Sequence, residues 1–240
     1  MVAETRDTPK FWAVVPAAGI GSRMGGDIPK QYLPLLGRPI IAHTLARLCN
    51  HPRISGVVVA VAADDRWWPE IPKEFAPMPL VAGGGLERRD SVLNGLTVLT
   101  EHASNDDWVL VHDAVRPCLR DDDIDRLMNV LSADEVGGLL AIPVRDTMKR
   151  CGADLRVRET VSRESLWQAQ TPQMFRLGAL REALQRSVNE DRDVTDEAQA
   201  MELSGARPRL VEGHEDNIKI TRAEDLRLAE MFLMRQKEGL

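Results

Sequence analysis

Short apolar segments alternate with amphipathic ones along this 240-residue chain, and that alternation limits the folds open to it. The apolar runs at 11–15 and 56–62 suit strands that are buried on both faces. Between them, apolar residues recur at helical spacing, as Ile41 and Leu45 do. Strands that alternate with helices predict a mostly parallel sheet with helices on both faces. We therefore predict an α/β fold of the Rossmann-like type, forming a single domain over residues 1–240.

Composition excludes several classes of protein. The 31 basic and 37 acidic residues give a net charge of −6, which argues against a nucleic-acid-binding domain. No apolar run approaches the ~20 residues of a membrane-spanning helix, and residues 1–10 lack the apolar stretch of a secretory signal. The three cysteines are widely spaced and odd in number, which favours a reducing compartment. We expect a cytoplasmic protein with no nucleic-acid or membrane partner and, given its length, no fused second enzyme.

The segment 143–163 interrupts the alternation of strands and helices. It holds six basic and three acidic residues, a local excess of positive charge in an acidic protein. Apolar and polar residues alternate over 155–161, a pattern typical of a strand. We predict a β-ribbon that projects from the main sheet.

Three loops follow predicted strands, at 16–30, 83–91 and 112–117. In open α/β sheets, ligands bind beyond the carboxyl ends of the strands. All three loops contain glycine or charged residues suited to ligand binding. We therefore expect them to converge on one functional site.

The first loop, Pro-Ala-Ala-Gly-Ile-Gly-Ser-Arg-Met over 16–24, has the composition of a phosphate-binding loop. Its small residues let backbone N–H groups approach a phosphate, and Arg23 and Lys30 add positive charge. The dinucleotide-binding fingerprint fails because the third glycine is Gly25 rather than residue 24, and no P-loop lysine motif occurs. The alternative is a tight turn whose basic residues are merely solvated.

The other two loops offer groups for a base, a ribose or a metal ion. Glycines before a helix suit an anion or a flat base, and the hydroxyl of Ser91 can reach a base edge; the alternative is an ordinary helix start. Asp113 can bind a ribose hydroxyl or Mg²⁺ beside phosphates, or can simply form a turn. His112 is expected to be structural, and Lys219 taken alone reads as a surface lysine.

Eight motifs, taken together, resemble one known family from about residue 11 to 234. They are PAAGIGSRM, PKQY, GGGLERRDSV, VHDAVRP, PVRDTMKR, QTPQMF, VTDEAQA and EGHEDNIKIT. No single motif is decisive, but the set in this order is similar to the 2-C-methyl-D-erythritol 4-phosphate cytidylyltransferases. These enzymes use CTP in the non-mevalonate pathway to isoprenoids. The resemblance implies a transferase that forms 4-diphosphocytidyl-2-C-methyl-D-erythritol and pyrophosphate, needs Mg²⁺, and dimerises through the arm at about 143–163.

The resemblance also implies roles for individual residues. The residues expected to act on the reacting phosphates are Arg23, Lys30 and Lys219. Those expected around the nucleotide are Ala17, Ala18, Gly19, Gly21, Gly85, Ser91 and Asp113. Those expected to bind the methylerythritol phosphate, some of them from a second subunit, are Arg116, Thr147, Arg163 and Thr195. The candidate metal ligands are Asp113 and Asp216. One departure is Leu86, which stands where the family commonly has a polar residue, so the selectivity for the base is an open point.

The chemistry of this reaction agrees with the residues present. A phosphate monoester has a second pKa of ~6 and is already a dianion at neutral pH, so no general base is needed. Positive charge is needed instead, because one anion attacks another. Three rival readings remain at this stage: a cytidylyltransferase for another polyol phosphate such as ribitol 5-phosphate, a sugar-1-phosphate nucleotidyltransferase using UTP or dTTP, and a catalytically silent nucleotide-binding protein.

Overall fold

A computed structural model of the chain describes residues 8–19 and 28–239. The strands are β1 (Phe11–Pro16), β2 (Pro34–Leu35), β3 (Arg38–Pro39), β4 (Ile54–Val61), β5 (Leu80–Gly83), β6 (Trp108–Val111), β7 (Gly137–Pro143), β8 (Met148–Cys151), β9 (Val157–Val161), β10 (Trp167–Arg176) and β11 (Arg209–Glu212). The helices are α1 (Ile40–Cys49), α2 (Arg88–Leu99), α3 (Asp121–Leu131), α4 (Leu177–Asn189), α5 (Glu197–Leu203) and α6 (Ala223–Lys237).

Seven strands form the central sheet, in the order β11-β7-β10-β6-β1-β4-β5. β1 pairs in parallel with both β4 and β6, β4 with β5, and β11 with β7. Only β10 runs antiparallel to its two neighbours in this sheet, β6 and β7. The prediction of a mostly parallel sheet is confirmed.

β10 was not predicted from the sequence, although this strand lies in the middle of the sheet. Its polar glutamines and Pro172 argue against a central strand, because a proline has no N–H to donate to the ladder. The structure accommodates Pro172 where the pairing with β7 shifts register between Ala169 and Gln173. The remaining residues of the strand still pair with both neighbours, so the sheet stays continuous.

Helices cover both faces of the sheet, as predicted. On one face α1 and α3 share a hydrophobic core with alternate residues of β1 such as Ala13 and Val15; on the other, α2 and α4 share a second core with Val14. Each fully buried leucine or valine adds about 1.5–3 kcal/mol. α2 approaches β1 closely, since a Cβ at Gly95 would lie 2.7 Å from Cγ1 of Val14. Among the described residues, no helix is long and apolar enough to cross a membrane.

The predicted β-ribbon forms a small sheet of its own. β8 and β9 pair antiparallel with each other and with no strand of the central sheet. The residues of β8 are all exposed, as are nearly all of those of β9. The ribbon itself is therefore confirmed, while its expected role in dimerisation stays a prediction.

Candidate active site

A cleft of about 660 Å³ lies at the carboxyl ends of the parallel strands, where the three loops meet. Eight of the predicted site residues line it: Ala17, Ala18, Gly19, Lys30, Gly85, Ser91, Asp113 and Lys219. Arg23 and Gly21 lie outside the described residues. The structure confirms that the three loops converge at the carboxyl ends of the strands, as expected.

The first loop leaves β1 in a fixed direction. The backbone N–H of Ala17 donates to the carbonyl of Ala60 at 2.8 Å, which extends the pairing of β1 with β4. The buried side chain of Gln31 then donates to the carbonyls of Ala17 at 2.7 Å and Gly19 at 3.2 Å. No role for Gln31 was predicted from the sequence. The available signal for such a role was its position directly after Lys30. Buried carbonyls of a short loop need hydrogen-bond donors, and a glutamine there can supply them.

The second loop packs directly against the first. A Cβ at Gly84 would lie 2.1 Å from that of Ala18, so only glycine lets the two loops touch. The N–H of Gly85 donates to Oγ of Ser91 at 3.0 Å. The hydroxyl predicted to read the base thus also holds its own loop in place. Leu86 also lines the cleft, but it is fully exposed to solvent.

The third loop places Asp113 among three cations. Its side chain, only 8% exposed, lies 2.8 Å from Nζ of Lys219, 3.0 Å from Nε of Arg88 and 3.6 Å from Nε of Arg116. Burial alone raises the pKa of this carboxyl, but the positive charges of its partners outweigh that effect and hold the pKa well below its usual range. Lys219, which taken alone looked like a surface lysine, is part of the site.

Arg88 and Glu197 complete this cluster, and neither was predicted from the sequence. Nη1 and Nη2 of Arg88 donate to the two carboxylate oxygens of Glu197 at 2.6 and 3.1 Å. Burial lowers the pKa of Arg88, but the two carboxylates outweigh this and raise it above the ordinary value. The two residues are 109 positions apart, so only the fold brings them together.

His112 is buried and structural, as expected. Its Nε2 lies 3.0 Å from the carbonyl of Arg116 and its Nδ1 lies 2.9 Å from Oγ1 of Thr171, which in turn accepts from the N–H of Asp113 at 3.1 Å. Burial is the main cause that lowers the pKa of His112 to about 4. A neutral ring protonated on Nε2 satisfies every partner and fixes the turn that carries Asp113.

The predicted acceptor-binding residues fall into two groups. Arg116 lies beside Asp113 and donates to the carbonyl of Asn217 at 2.7 Å. The other three residues are exposed and do not line the cleft: Thr147, Arg163 and Thr195. Arg163 contacts the carbonyl of Arg145 on the ribbon, and the hydroxyl of Thr195 donates to Gln199 at 3.0 Å.

The two candidate metal ligands lie in different surroundings. Both oxygens of Asp113 already face cations, so this carboxylate does not fit a direct Mg²⁺ ligand. Asp216 lines a separate cleft, where it pairs with Arg120 at 2.7 Å and accepts from Gln236 at 2.9 Å. The structure therefore does not place Asp216 with Asp113, and the expected metal site stays a prediction.

Comparisons with known proteins agree with this geometry. The sequence profile of the 2-C-methyl-D-erythritol 4-phosphate cytidylyltransferase (IspD) family matches residues 11–235. The enzyme of that name from Pseudomonas putida (strain GB-1) is 56% identical over 219 residues, 91% of this chain and 93% of its own length. The one from Hahella chejuensis is 50% identical over 98% of both chains.

Solved structures give the same answer. A crystal structure of 4-diphosphocytidyl-2C-methyl-D-erythritol synthase superposes with a TM-score of 0.82 at 36% identity, covering 94% of this chain and 98% of that one. The Francisella tularensis 2-C-methyl-D-erythritol 4-phosphate cytidylyltransferase gives 0.80 at 36% identity, covering 93% of this chain and 99% of that one. With the profile and the relatives, these structures establish that the chain belongs to the 2-C-methyl-D-erythritol 4-phosphate cytidylyltransferase family.

Proposed function

We propose that the cleft transfers the cytidylyl group of CTP to 2-C-methyl-D-erythritol 4-phosphate and releases pyrophosphate. Membership of the family identifies the chain as a CTP-dependent cytidylyltransferase. The observation that carries the assignment to this cleft is its cluster of cations, with Lys30 and Lys219 lining it and Arg88 and Arg116 around Asp113. Such a site suits a reaction between two anions.

The reaction needs no proton acceptor from the protein. An oxygen of the acceptor phosphate attacks the α-phosphorus of CTP, and the bond from that phosphorus to the pyrophosphate oxygen breaks in line with it. His112 is no candidate for a base, since both ring nitrogens are engaged and the ring is buried. The chain contributes charge and position, the main means of catalysis in this class of transfer.

The electrostatic repulsion between the two anionic substrates, which the cations offset, is large. Two unit charges 4 Å apart repel by about 4 kcal/mol at an effective dielectric of 20. Lys30 and Lys219, together with Arg23, are proposed to offset that repulsion and the charge that develops on the leaving pyrophosphate. Lys219 is already held at the cleft by Asp113, so it does not have to be ordered when the substrates bind.

The nucleotide is proposed to lie along the first two loops. Backbone N–H groups around Gly19 and Gly21 would hold its phosphates, and Ala17, Ala18 and Gly85, with Ser91, would surround the base. The contact of Gly84 with Ala18 supports this assignment, because it leaves a flat surface with little side-chain bulk.

The acceptor is proposed to bind between Arg116 of one subunit and the ribbon of another. Thr147 and Arg163 lie on the exposed ribbon and do not line the cleft of their own chain, so we propose that they act on the cleft of a second copy. The ribbon exposes apolar side chains, Leu155 at 83% and Val157 at 62%, which suits a buried contact in a homodimer. Thr195 is proposed to contact the acceptor from the start of α5.

Two further expectations remain proposals. The reaction of the family implies Mg²⁺, which we propose accompanies the nucleotide rather than being held by Asp113 or Asp216. A cytoplasmic location is supported by three cysteines without disulfides among the described residues and by the acidic composition.

The assignment is tested by pyrophosphate release from the purified chain with Mg²⁺. CTP with methylerythritol phosphate is compared with CTP with ribitol 5-phosphate, and with UTP and methylerythritol phosphate. Release only from the first pair is expected. Release with ribitol 5-phosphate instead would keep the nucleotide site but overturn the assignment of the acceptor, and CTP binding without turnover on either acceptor would indicate a silent relative.

A further inference from the structure

Glu197 is a buried carboxylate that does not line the cleft yet connects to it. Its side chain is 1% exposed, and both of its oxygens accept from Arg88. Arg88 uses its third nitrogen, Nε, to donate to Oδ1 of Asp113. Oδ2 of Asp113 then holds Lys219 at 2.8 Å. The four side chains form one chain of ion pairs that ends in the cleft.

The position of Arg88 shows that it does not serve its own helix. It is the first residue of α2, where the positive end of the helix dipole makes a cation unfavourable. Glu197 is the first residue of α5, where a carboxylate is favourable. At this unfavourable position the charge of Arg88 is stabilised by its contacts with Glu197 and Asp113, which it joins.

Glu197 is itself fixed to the central sheet. Gln173 of β10 accepts from the N–H of Ala198 at 2.8 Å and donates to Asp196 at 3.0 Å, so it holds both residues that flank Glu197. The start of α5 cannot move without breaking these two hydrogen bonds, one buried and one partly buried. The carboxylate therefore offers Arg88 a rigid partner.

We propose that Glu197 is a positioning residue that sets the orientation of Lys219 toward the acceptor phosphate, acting through Arg88 and Asp113. This inference rests on the proposed function of the cleft. With Glu197 in place, Arg88 presents one nitrogen to Asp113, and the second oxygen of Asp113 remains for Lys219. Without that carboxylate, Arg88 turns its paired nitrogens to Asp113 and displaces Lys219.

The test is steady-state kinetics of the full chain carrying Glu197→Gln, with both substrates varied. The kcat/KM for the acceptor is expected to fall about tenfold, while the Kd for CTP changes less than about twofold. In the background of Asp113→Asn, the same change is expected to cost less than about twofold, because the path to Lys219 is already cut. If the fold losses of kcat/KM in Glu197→Gln and Asp113→Asn multiply fully in the double variant, the proposal is overturned. An unchanged kcat/KM in Glu197→Gln would also overturn it.

A matched control separates positioning from loss of stability. Asp107 is also a buried carboxylate with N–H partners, but it lies before β6, at the opposite end of that strand from Asp113. Asp107→Asn is expected to lower the Tm without lowering the acceptor kcat/KM; an equal kinetic loss would mean that Glu197 acts only through stability.

If Glu197→Gln does not fold, Arg88→Lys replaces it, since a lysine cannot bridge two carboxylates with a planar fork. The same tenfold loss is expected, and normal kinetics would overturn the proposal.

A readout independent of turnover keeps the two proposals apart. Without substrates, the labelling of Lys219 by an amine-acylating reagent, followed by mass spectrometry, is expected to rise about threefold in Glu197→Gln. A wild-type chain that releases no pyrophosphate would refute the proposed function but leave this result intact. Unchanged labelling of Lys219 would refute the positioning role even in an active enzyme.

Discussion

Nζ of Lys219 lies 2.8 Å from Oδ2 of Asp113, so a cation of the cleft is held by a carboxylate before any phosphate arrives. The low pKa of Asp113, maintained by its three basic partners, keeps that carboxylate ionised at neutral pH. Asp113 therefore fixes positive charge in place at the cleft. Its oxygens give Lys219 a defined starting position from which to meet the substrate.

Lys30→Ala is expected to lower kcat by about a hundredfold or more, the loss typical of removing one preorganised charge donor. The lysine lines the cleft directly after the first loop. Initial rates of pyrophosphate release measure the effect. Lys73→Ala is the control, because Lys73 is exposed and pairs with Glu70 outside the cleft. A near-normal kcat in Lys30→Ala would remove this lysine from the mechanism.

Arg163→Glu is expected to raise KM for methylerythritol phosphate about tenfold with a much smaller change for CTP, since a charge-assisted hydrogen bond is worth about 1.5–3 kcal/mol. Arg156→Glu provides a comparison on the same ribbon, where the side chain is 88% exposed and has no assigned role. Equal increases in KM for both substrates would assign Arg163 to the structure of the ribbon.

Leu86→Asp is expected to change the ratio of kcat/KM for CTP over UTP by less than about twofold, as exposed positions usually allow. The side chain of Leu86 is fully exposed at the mouth of the cleft. Kinetics with each nucleotide at saturating acceptor give the ratio. A tenfold gain in selectivity for CTP would mean that this position reads the base.

The stability of the fold is expected to decrease between pH 6.5 and about 4 in part through His112. The pKa of His112 is about 4 in the folded chain, below the 6.5 of a free histidine, so the unfolded chain binds a proton first in this interval. The loss of unfolding free energy caused by His112 is absent above pH 6.5 and grows to about 3 kcal/mol as the pH approaches 4.

Urea unfolding at several pH values tests this expectation. In His112→Gln the loss of unfolding free energy from pH 7 to pH 4.5 should be smaller than in the wild type, whatever the stability of the variant at pH 7. Parallel curves for the two proteins would show that His112 does not contribute to the acid sensitivity.

The sequence predicted the parts of the fold that follow from local pattern. The apolar runs at 11–15 and 56–62 coincide within two residues with β1 and β4, and Ile41 and Leu45 lie in α1, because a buried strand and an amphipathic helix each have a characteristic spacing of apolar residues. The cleft was predictable for a related reason, since parallel strands bring their following loops to one edge. β10 was not predicted, because Pro172 and its glutamines obscure the pattern of a strand.

The residues that the sequence did not reveal are those whose role depends on distant partners. Gln31 looks like any polar residue after a lysine until its contacts with the first loop are seen. Glu197 looks like an ordinary acidic residue in the first turn of a helix, and Arg88 is one of two adjacent arginines at the start of another. Their pairing is a property of tertiary structure, so no local pattern contains it.

The antiparallel strand β10 also determines when this protein can fold during its synthesis. β7 and β11 reach β6 only through β10, which begins at Trp167, in the last third of the chain. While the ribosome makes the preceding residues, β6 has an open edge of unpaired backbone groups flanked by the apolar side chains of Trp108–Val111. We therefore expect this edge of the nascent chain to stay open to pairing with other chains until residues 167–176 emerge, and a translational pause before them would prolong that exposure.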